Sequence, residues 1–289
     1  MQISEFWETT KQELSKIDMD VAICENSDKS NREFTTFDIQ MKSFGNDFIS
    51  GWYSVPNHLW GKKAPAVLAV PGYGGIKEIP TVLPSLGFAV LTLFPRGQGE
   101  SQKHWKLENS TKLIHNIHDK FKYYYRGAYM DCIRGIDFLN SMDEVDSNRI
   151  GMWSRSQGGG LTLATAALDS RVRCAVAEEP FLCNYPIAQE VNTSPYVELK
   201  TYLEQNPENR ELALDTLQYF DNLNLAELIT CPTLVSIGMK DETCPASTIK
   251  PVFERIKSVK SLITYPQLPH SPCYDFNNHA VNWLKTYLS

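Results

Sequence analysis

Ile150-Gly151-Met152-Trp153-Ser154-Arg155-Ser156-Gln157-Gly158-Gly159-Gly160-Leu161 is the stretch that decides the fold. Its first four residues read as the end of a buried strand. Residues 161–168 read as a helix. Between them stands a serine at the tip of a glycine-rich turn. A sharp strand-to-helix turn lifts the Ser156 hydroxyl out of the sheet, where a base can reach it. Strand and helix nearly touch there, so the flanking residues must be small. The usual pattern is G-x-S-x-G. Ser154 takes the first glycine position and Gly158 the second, so the match is relaxed. Alone, the stretch fits equally well a glycine-rich loop that merely lets a helix pack close.

The rest of the chain supplies partners in a telling order. Leu234 to Gly238 reads as a buried strand, with Asp241 in the loop after it. Ser261 to Tyr265 reads as the last strand, with His270 in the following loop. Serine, then acid, then histidine is the chain order of the α/β-hydrolase fold. Both partners fall just beyond the C-terminal ends of strands, the rim where open parallel sheets bind ligands. The expectation is therefore an α/β fold: a mostly parallel sheet, helices on both faces, and an active site at that rim.

These three residue types suit one chemistry. A serine hydroxyl is a weak nucleophile at neutral pH. His270 can take its proton and later return it to the leaving group. Asp241 would fix the histidine tautomer and stabilise the imidazolium. The tetrahedral oxyanion then needs backbone N–H donors. The amide of Gln157, after the nucleophile, is one candidate. The other is Tyr73, in the loop Pro71-Gly72-Tyr73-Gly74-Gly75 after the strand Ala66 to Val70.

Further marks run along nearly the whole chain. They are Ser43-Phe44-Gly45 through Gly51-Trp52-Tyr53-Ser54-Val55-Pro56, Gly72-Tyr73, Arg96-Gly97-Gln98-Gly99 and Tyr123-Tyr124-Tyr125-Arg126-Gly127. Pro180-Phe181-Leu182 and Asp241-Glu242-Thr243-Cys244-Pro245 complete them. With these the chain resembles the acetyl xylan esterase and cephalosporin-C deacetylase family of carbohydrate esterases. The resemblance implies Ser156, Asp241 and His270 as the triad, and the Tyr73 and Gln157 amides as the oxyanion hole. It implies acetylated xylo-oligosaccharides, other acetylated sugars or cephalosporin C as substrates, and a ring-like homo-hexamer. Four departures leave substrate preference open: Ser271 in place of a glutamate, Ser154-Arg155 in place of glycines, Pro71 in place of a histidine, and a short loop from Gly72 to Leu83.

Secondary roles follow from position. Arg96 and Gln98 stand after the strand Phe88 to Phe94 and are read as braces of the active-site loops. Arg155 adds a cation beside the nucleophile; the reading preferred is an ion pair with Asp131 or Glu179, the other a subsite for an anionic substrate. Tyr123 to Tyr125 are read as plugs between helix and sheet rather than a sugar platform. His115 and His118 lack a third ligand at useful spacing, and a serine triad needs neither metal nor cofactor. His279 is read as a surface or packing residue.

Composition sets the remaining limits. With 289 residues, 42% hydrophobic and 21% charged, the chain suits one large α/β domain, residues 1–289, with an embedded polar insertion at about 181–228. A net charge of −6 argues against nucleic acid. No apolar run approaches a membrane span. The start lacks the basic and apolar regions of a secretory signal, and seven scattered cysteines read as reduced thiols, so the expected location is the cytoplasm. The function expected is a serine esterase removing small acyl groups, chiefly acetyl, from a polar alcohol. The alternatives are a prolyl-oligopeptidase-type peptidase, a thioesterase, or a catalytically silent binding protein of the same fold.

Overall fold

The computed structural model describes residues 1–59, 61–75, 82–107 and 110–288. Nine strands form one sheet: β1 (Ala22–Glu25), β2 (Phe34–Lys42), β3 (Phe48–Pro56), β4 (Ala64–Ala69), β5 (Ala89–Phe94), β6 (Val145–Arg155), β7 (Val172–Glu178), β8 (Thr233–Gly238) and β9 (Lys260–Tyr265). Their order is β1-β2-β3-β5-β4-β6-β7-β8-β9. The first three strands and the β3–β5 pair are antiparallel, and every later pair is parallel.

The helices are α1 (Ile3–Ser15), α2 (Val82–Ser85), α3 (Tyr124–Ser141), α4 (Gln157–Leu168), α5 (Tyr185–Ala188), α6 (Tyr196–Gln205), α7 (Arg210–Leu217), α8 (Asn222–Leu225), α9 (Ala246–Arg255) and α10 (Tyr274–Leu288). Apolar side chains bury on both sheet faces. A large core joins α1, α3, α4 and the helices of residues 181–228 to one face, and a smaller core sets α10 against the other. Strands covered on both faces read as largely apolar runs, and β5 and β8, buried at every position, depart from this only at Thr92, Thr233 and Ser236.

β2 and β3 form a hairpin, and Gly45 (φ 73°) and Asn46 (φ 63°) turn it. Gly87 takes the left-handed conformation (φ 92°) after α2. Strand β1, an exposed edge of four residues, has no sequence signal of the period-2 kind. Ile17 lies just beyond the end of α1. There the Arg134 guanidinium donates to the carbonyls of Leu14 and Ile17 at 3.0 and 2.9 Å and closes the helix. The polar stretch after Phe181 is helical and carries Leu199, Leu203, Leu217 and Leu225 into the large core. The shortened loop expected from Gly72 to Leu83 lies partly outside the described residues.

The chain reverses direction across the sheet between β4 and β6. From β4 it steps outward to β5, then returns to the other side with β6. Such a switch point leaves a crevice at the carboxyl ends of the two strands. The loop beginning at Pro71 and the turn at Ser156 both lie there.

Candidate active site

Ser156 follows the last residue of β6 and precedes the first of α4, with φ 58° and ψ −125°. That left-handed backbone is costly for a residue with a Cβ and persists only where neighbours hold it. Three do so here. The Ser156 amide donates to the Glu178 carbonyl at 2.9 Å, and the Ser156 carbonyl accepts from Phe181 at 2.9 Å and Gly160 at 3.0 Å. The closeness explains the glycines. A Cβ at Gly158 would lie 2.6 Å from the Val70 carbonyl oxygen, and one at Gly160 would run into the Phe181 carbonyl. Ser154 fits where a glycine is usual because its hydroxyl has work: it accepts from the Val70 amide at 2.9 Å and ties β4 to the turn.

The three residues read from the sequence converge. His270 Nε2 lies 3.1 Å from Ser156 Oγ, and Nδ1 lies 2.7 Å from Asp241 Oδ2. Asp241 is itself fixed, because Oδ1 accepts from the amides of Thr243 and Cys244 at 2.8 Å each. The loop after β8 thus presents one carboxylate oxygen to its own backbone and the other to the histidine. With Nδ1–H donated to Asp241, Nε2 carries the lone pair that can receive the serine proton.

The two loops expected to supply the oxyanion donors are joined by hydrogen bonds through Gln98. Its amide donates to the Gly72 carbonyl at 2.9 Å, and its Oε1 accepts from Gln157 Nε2 at 2.9 Å. Tyr125 donates to Gln157 Oε1 at 2.8 Å. These contacts hold the loop of Tyr73 against the start of α4, whose first N–H groups have no acceptor within the helix. The Gly72 backbone lies against Ser156: a Cβ there would stand 3.7 Å from the serine Cβ. Tyr73 reaches across to the insertion, donating to Glu198 on α6 at 2.6 Å. A cleft of about 570 Å³ opens over these groups, lined by Tyr73, Arg155, Ser156, Pro195, Thr243 and His270 among others. A second depression of about 560 Å³, beside Trp52 and Lys29, holds none of them. The reacting groups, not cleft size, single out the first.

The secondary readings separate. Arg96 braces: its guanidinium grips Asp131 with two bonds of 2.8 and 2.9 Å and also donates to Asp47 and the Phe44 carbonyl. Tyr124 donates to the Arg96 carbonyl at 2.9 Å, and Tyr123 to Leu113 at 2.8 Å. All three tyrosines are buried, so they plug rather than offer a sugar platform. Of the two acids considered for Arg155, Glu179 is the neighbour at 3.8 Å, while Asp131 belongs to Arg96. His115 packs edge-on to Trp105, and His279 is exposed beside Asp275.

Two groups beside the triad were read from the sequence only in other roles, Glu179 as one of two candidate partners of Arg155 and Cys244 within the Asp241–Pro245 stretch. Glu179 is fully buried behind His270, and no motif announces it. Cys244 lies beside the triad. Among the described residues, one donor atom each from Asp241, Cys244 and His270 fall within 4.8 Å of one another, as metal ligands can. Asp241 and His270 are already engaged with each other, however, and burial pushes the Cys244 thiol well up. A neutral thiol is a poor ligand, so the trio is read as the triad and its lining.

Comparison with known proteins places the whole chain in one family. The model of the acetyl xylan esterase family matches residues 2–287. The acetyl esterase Axe7A of Xylanibacter ruminicola is 28% identical over 97% of this chain, which spans 65% of that protein's length. An acetyl xylan esterase from Paenibacillus sp. R4 superimposes with a TM-score of 0.92 at 30% identity, covering 99% of this chain and 94% of that one. Acetyl xylan esterase 1 from Thermoanaerobacterium sp. JW/SL YS485 gives 0.90 at 27% identity, with the same coverage.

Proposed function

The chain belongs to the acetyl xylan esterase family, and we propose that it is a serine esterase that removes acetyl groups from a polar alcohol, an acetylated xylo-oligosaccharide or related sugar. One observation carries this reading: the unbroken hydrogen-bond chain from Ser156 through His270 to Asp241, opening into the cleft beneath the loop of Tyr73.

The steps follow from the geometry. Ser156 Oγ attacks the ester carbonyl as its proton passes to His270 Nε2. The oxyanion is received by the amides of Tyr73 and Gln157. The imidazolium is stabilised by Asp241 and returns the proton to the departing alcohol. Water, deprotonated by the same nitrogen, then attacks the acyl-enzyme and releases acetate.

The cleft supports a small acyl group on a polar alcohol, since Tyr73, Ser194 and Thr243 line it. Assembly as a homo-hexamer and a cytoplasmic location complete the proposal. Sedimentation tests the first. Fractionation tests the second, for which the seven free thiols argue.

Hydrolysis of p-nitrophenyl acetate, butyrate and octanoate, with Ser156→Ala as control, tests the whole. The expected result is preference for acetate and a loss of roughly 10⁶-fold in kcat for the variant. Preference for octanoate would overturn the acyl class. Cleavage of aminoacyl-naphthylamides alone would favour a peptidase.

A further inference from the structure

Behind His270 stands a second carboxylate that the mechanism above does not use. Glu179 is the residue after β7, in a left-handed conformation (φ 44°), with its amide donating to Ser236. Its side chain is completely buried. Oε2 lies 3.5 Å from His270 Nδ1, the same nitrogen that Asp241 meets at 2.7 Å. On its other side the same oxygen lies 3.8 Å from Arg155 Nη1. Neither Glu179 oxygen completes a hydrogen bond of good geometry, although the Ser271 amide approaches, and neither does Arg155 Nη1. Room for the carboxylate exists because residue 238 is glycine: a Cβ there would lie 3.2 Å from Glu179 Oε1.

A buried carboxylate with no completed partner is expensive, and native structures rarely keep one without use. Simple packing would be served better by an apolar side chain. We propose that Glu179 is a positioning residue for the catalytic histidine: a reserve acceptor for its Nδ1–H, balanced by Arg155, that holds the reactive tautomer where Asp241 does not. The proposal rests on the Ser156–His270 mechanism and deepens it.

The charges around Glu179 say why it stands in reserve. Asp241 faces it from the loop after β8, Glu178 from β7, Arg155 from β6, and the Ser271 amide from the loop after β9; the Cys244 thiol is also near. Burial foremost, then repulsion by Asp241 and Glu178, pushes Glu179 up to about 8, against the weaker pull of Arg155. With Asp241 ionised, Glu179 therefore keeps its proton at neutral pH and leaves the Nδ1–H to Asp241. Without Asp241 that repulsion is gone, and a carboxyl oxygen able to accept the same N–H already stands 3.5 Å away. Proton transfer from Ser156 Oγ to His270 Nε2 is then still possible.

The test compares wild type, Glu179→Gln, Asp241→Ala and the double variant by the rate at which a fluorophosphonate labels Ser156. Labelling reports nucleophile activation whatever the natural ester is. A protein that labels but cleaves no acetyl ester would sink the substrate reading and leave this one standing. Glu179→Gln alone is expected within about 3-fold of wild type. The double variant is expected to fall at least ~10-fold below the product of the two single effects. Multiplicative behaviour would overturn the proposal. Nitrogen NMR of His270 in the Asp241→Ala protein decides independently, even should the double variant fail to fold or to label. Retention of the Nδ1–H tautomer supports Glu179 as acceptor; a shift to the Nε2–H tautomer overturns it.

Discussion

Two arginines sit at the ends of the strands that flank β4, and each meets a buried carboxylate. Arg96, beyond β5, is densely paired: with Asp131 it forms a fork of paired bonds, and it also donates to Asp47 and the Phe44 carbonyl. Asp131 is full, accepting also from Ser43 Oγ at 2.6 Å and the Arg96 amide at 2.9 Å. Arg155, at the end of β6, stands 3.8 Å from Glu179 and makes no such fork. The same pairing of charges therefore does two jobs. Where every lone pair is filled, the pair can only hold. Where they are left open beside a histidine, it can respond to a proton.

The sharpest way to break the comparison is to remove one partner from the filled pair. Asp131→Ala strands the Arg96 guanidinium and should cost about 3–5 kcal/mol in denaturant unfolding. Glu179→Gln should cost nothing measurable by the same assay. Equal losses would mean that both clusters are braces.

A second experiment follows the brace to the chemistry. Gln98→Ala cuts the link between the Gly72 carbonyl and Gln157. The oxyanion amides would drift apart, and kcat should fall roughly 10–100-fold while KM changes little. A loss confined to KM would place Gln98 in substrate binding instead.

Titration separates the clusters in another way. Glu179 is raised from 4.5 to about 8, so between those values the folded protein keeps a proton that the unfolded chain has released. Its contribution to stability is thus present below about 4.5 and is lost as pH climbs toward 8. Unfolding free energy measured from pH 5 to 8 should decline less steeply in Glu179→Gln than in wild type. Parallel slopes would show that Glu179 titrates normally.

The smallest effect is expected at Arg155. It is partly exposed and loosely paired, so Arg155→Ala should change stability by less than about 1 kcal/mol. Neutral and anionic acetyl esters should lose the same fraction of kcat/KM. A selective loss on the anionic ester would make Arg155 a substrate contact.

How much could be read beforehand depended on distance along the chain. The elbow at Ser156 is local: strand, serine and glycines are contiguous, and steric limits on a tight turn are written in residue size. Asp241 and His270 were legible because the loop at the end of a parallel strand always opens on the same rim, whatever lies between. The brace of Arg96 was placed on the correct rim, but its partner was not identified, since Asp131 arrives from a helix 35 residues away.

Sequence alone determined the family and the chain order of the candidate triad Ser156, Asp241 and His270. It did so because buried strands, small residues at a turn and the serine–acid–histidine order are constraints that act within a few residues or through a fixed topology. Only the tertiary structure decided which acid Arg155 meets, that Tyr123 to Tyr125 are buried, and that Glu179 stands behind His270. Burial and the field of Asp241 and Glu178 exist only once β6, β7, β8 and the last loop are brought together. No single stretch of sequence carries a dielectric.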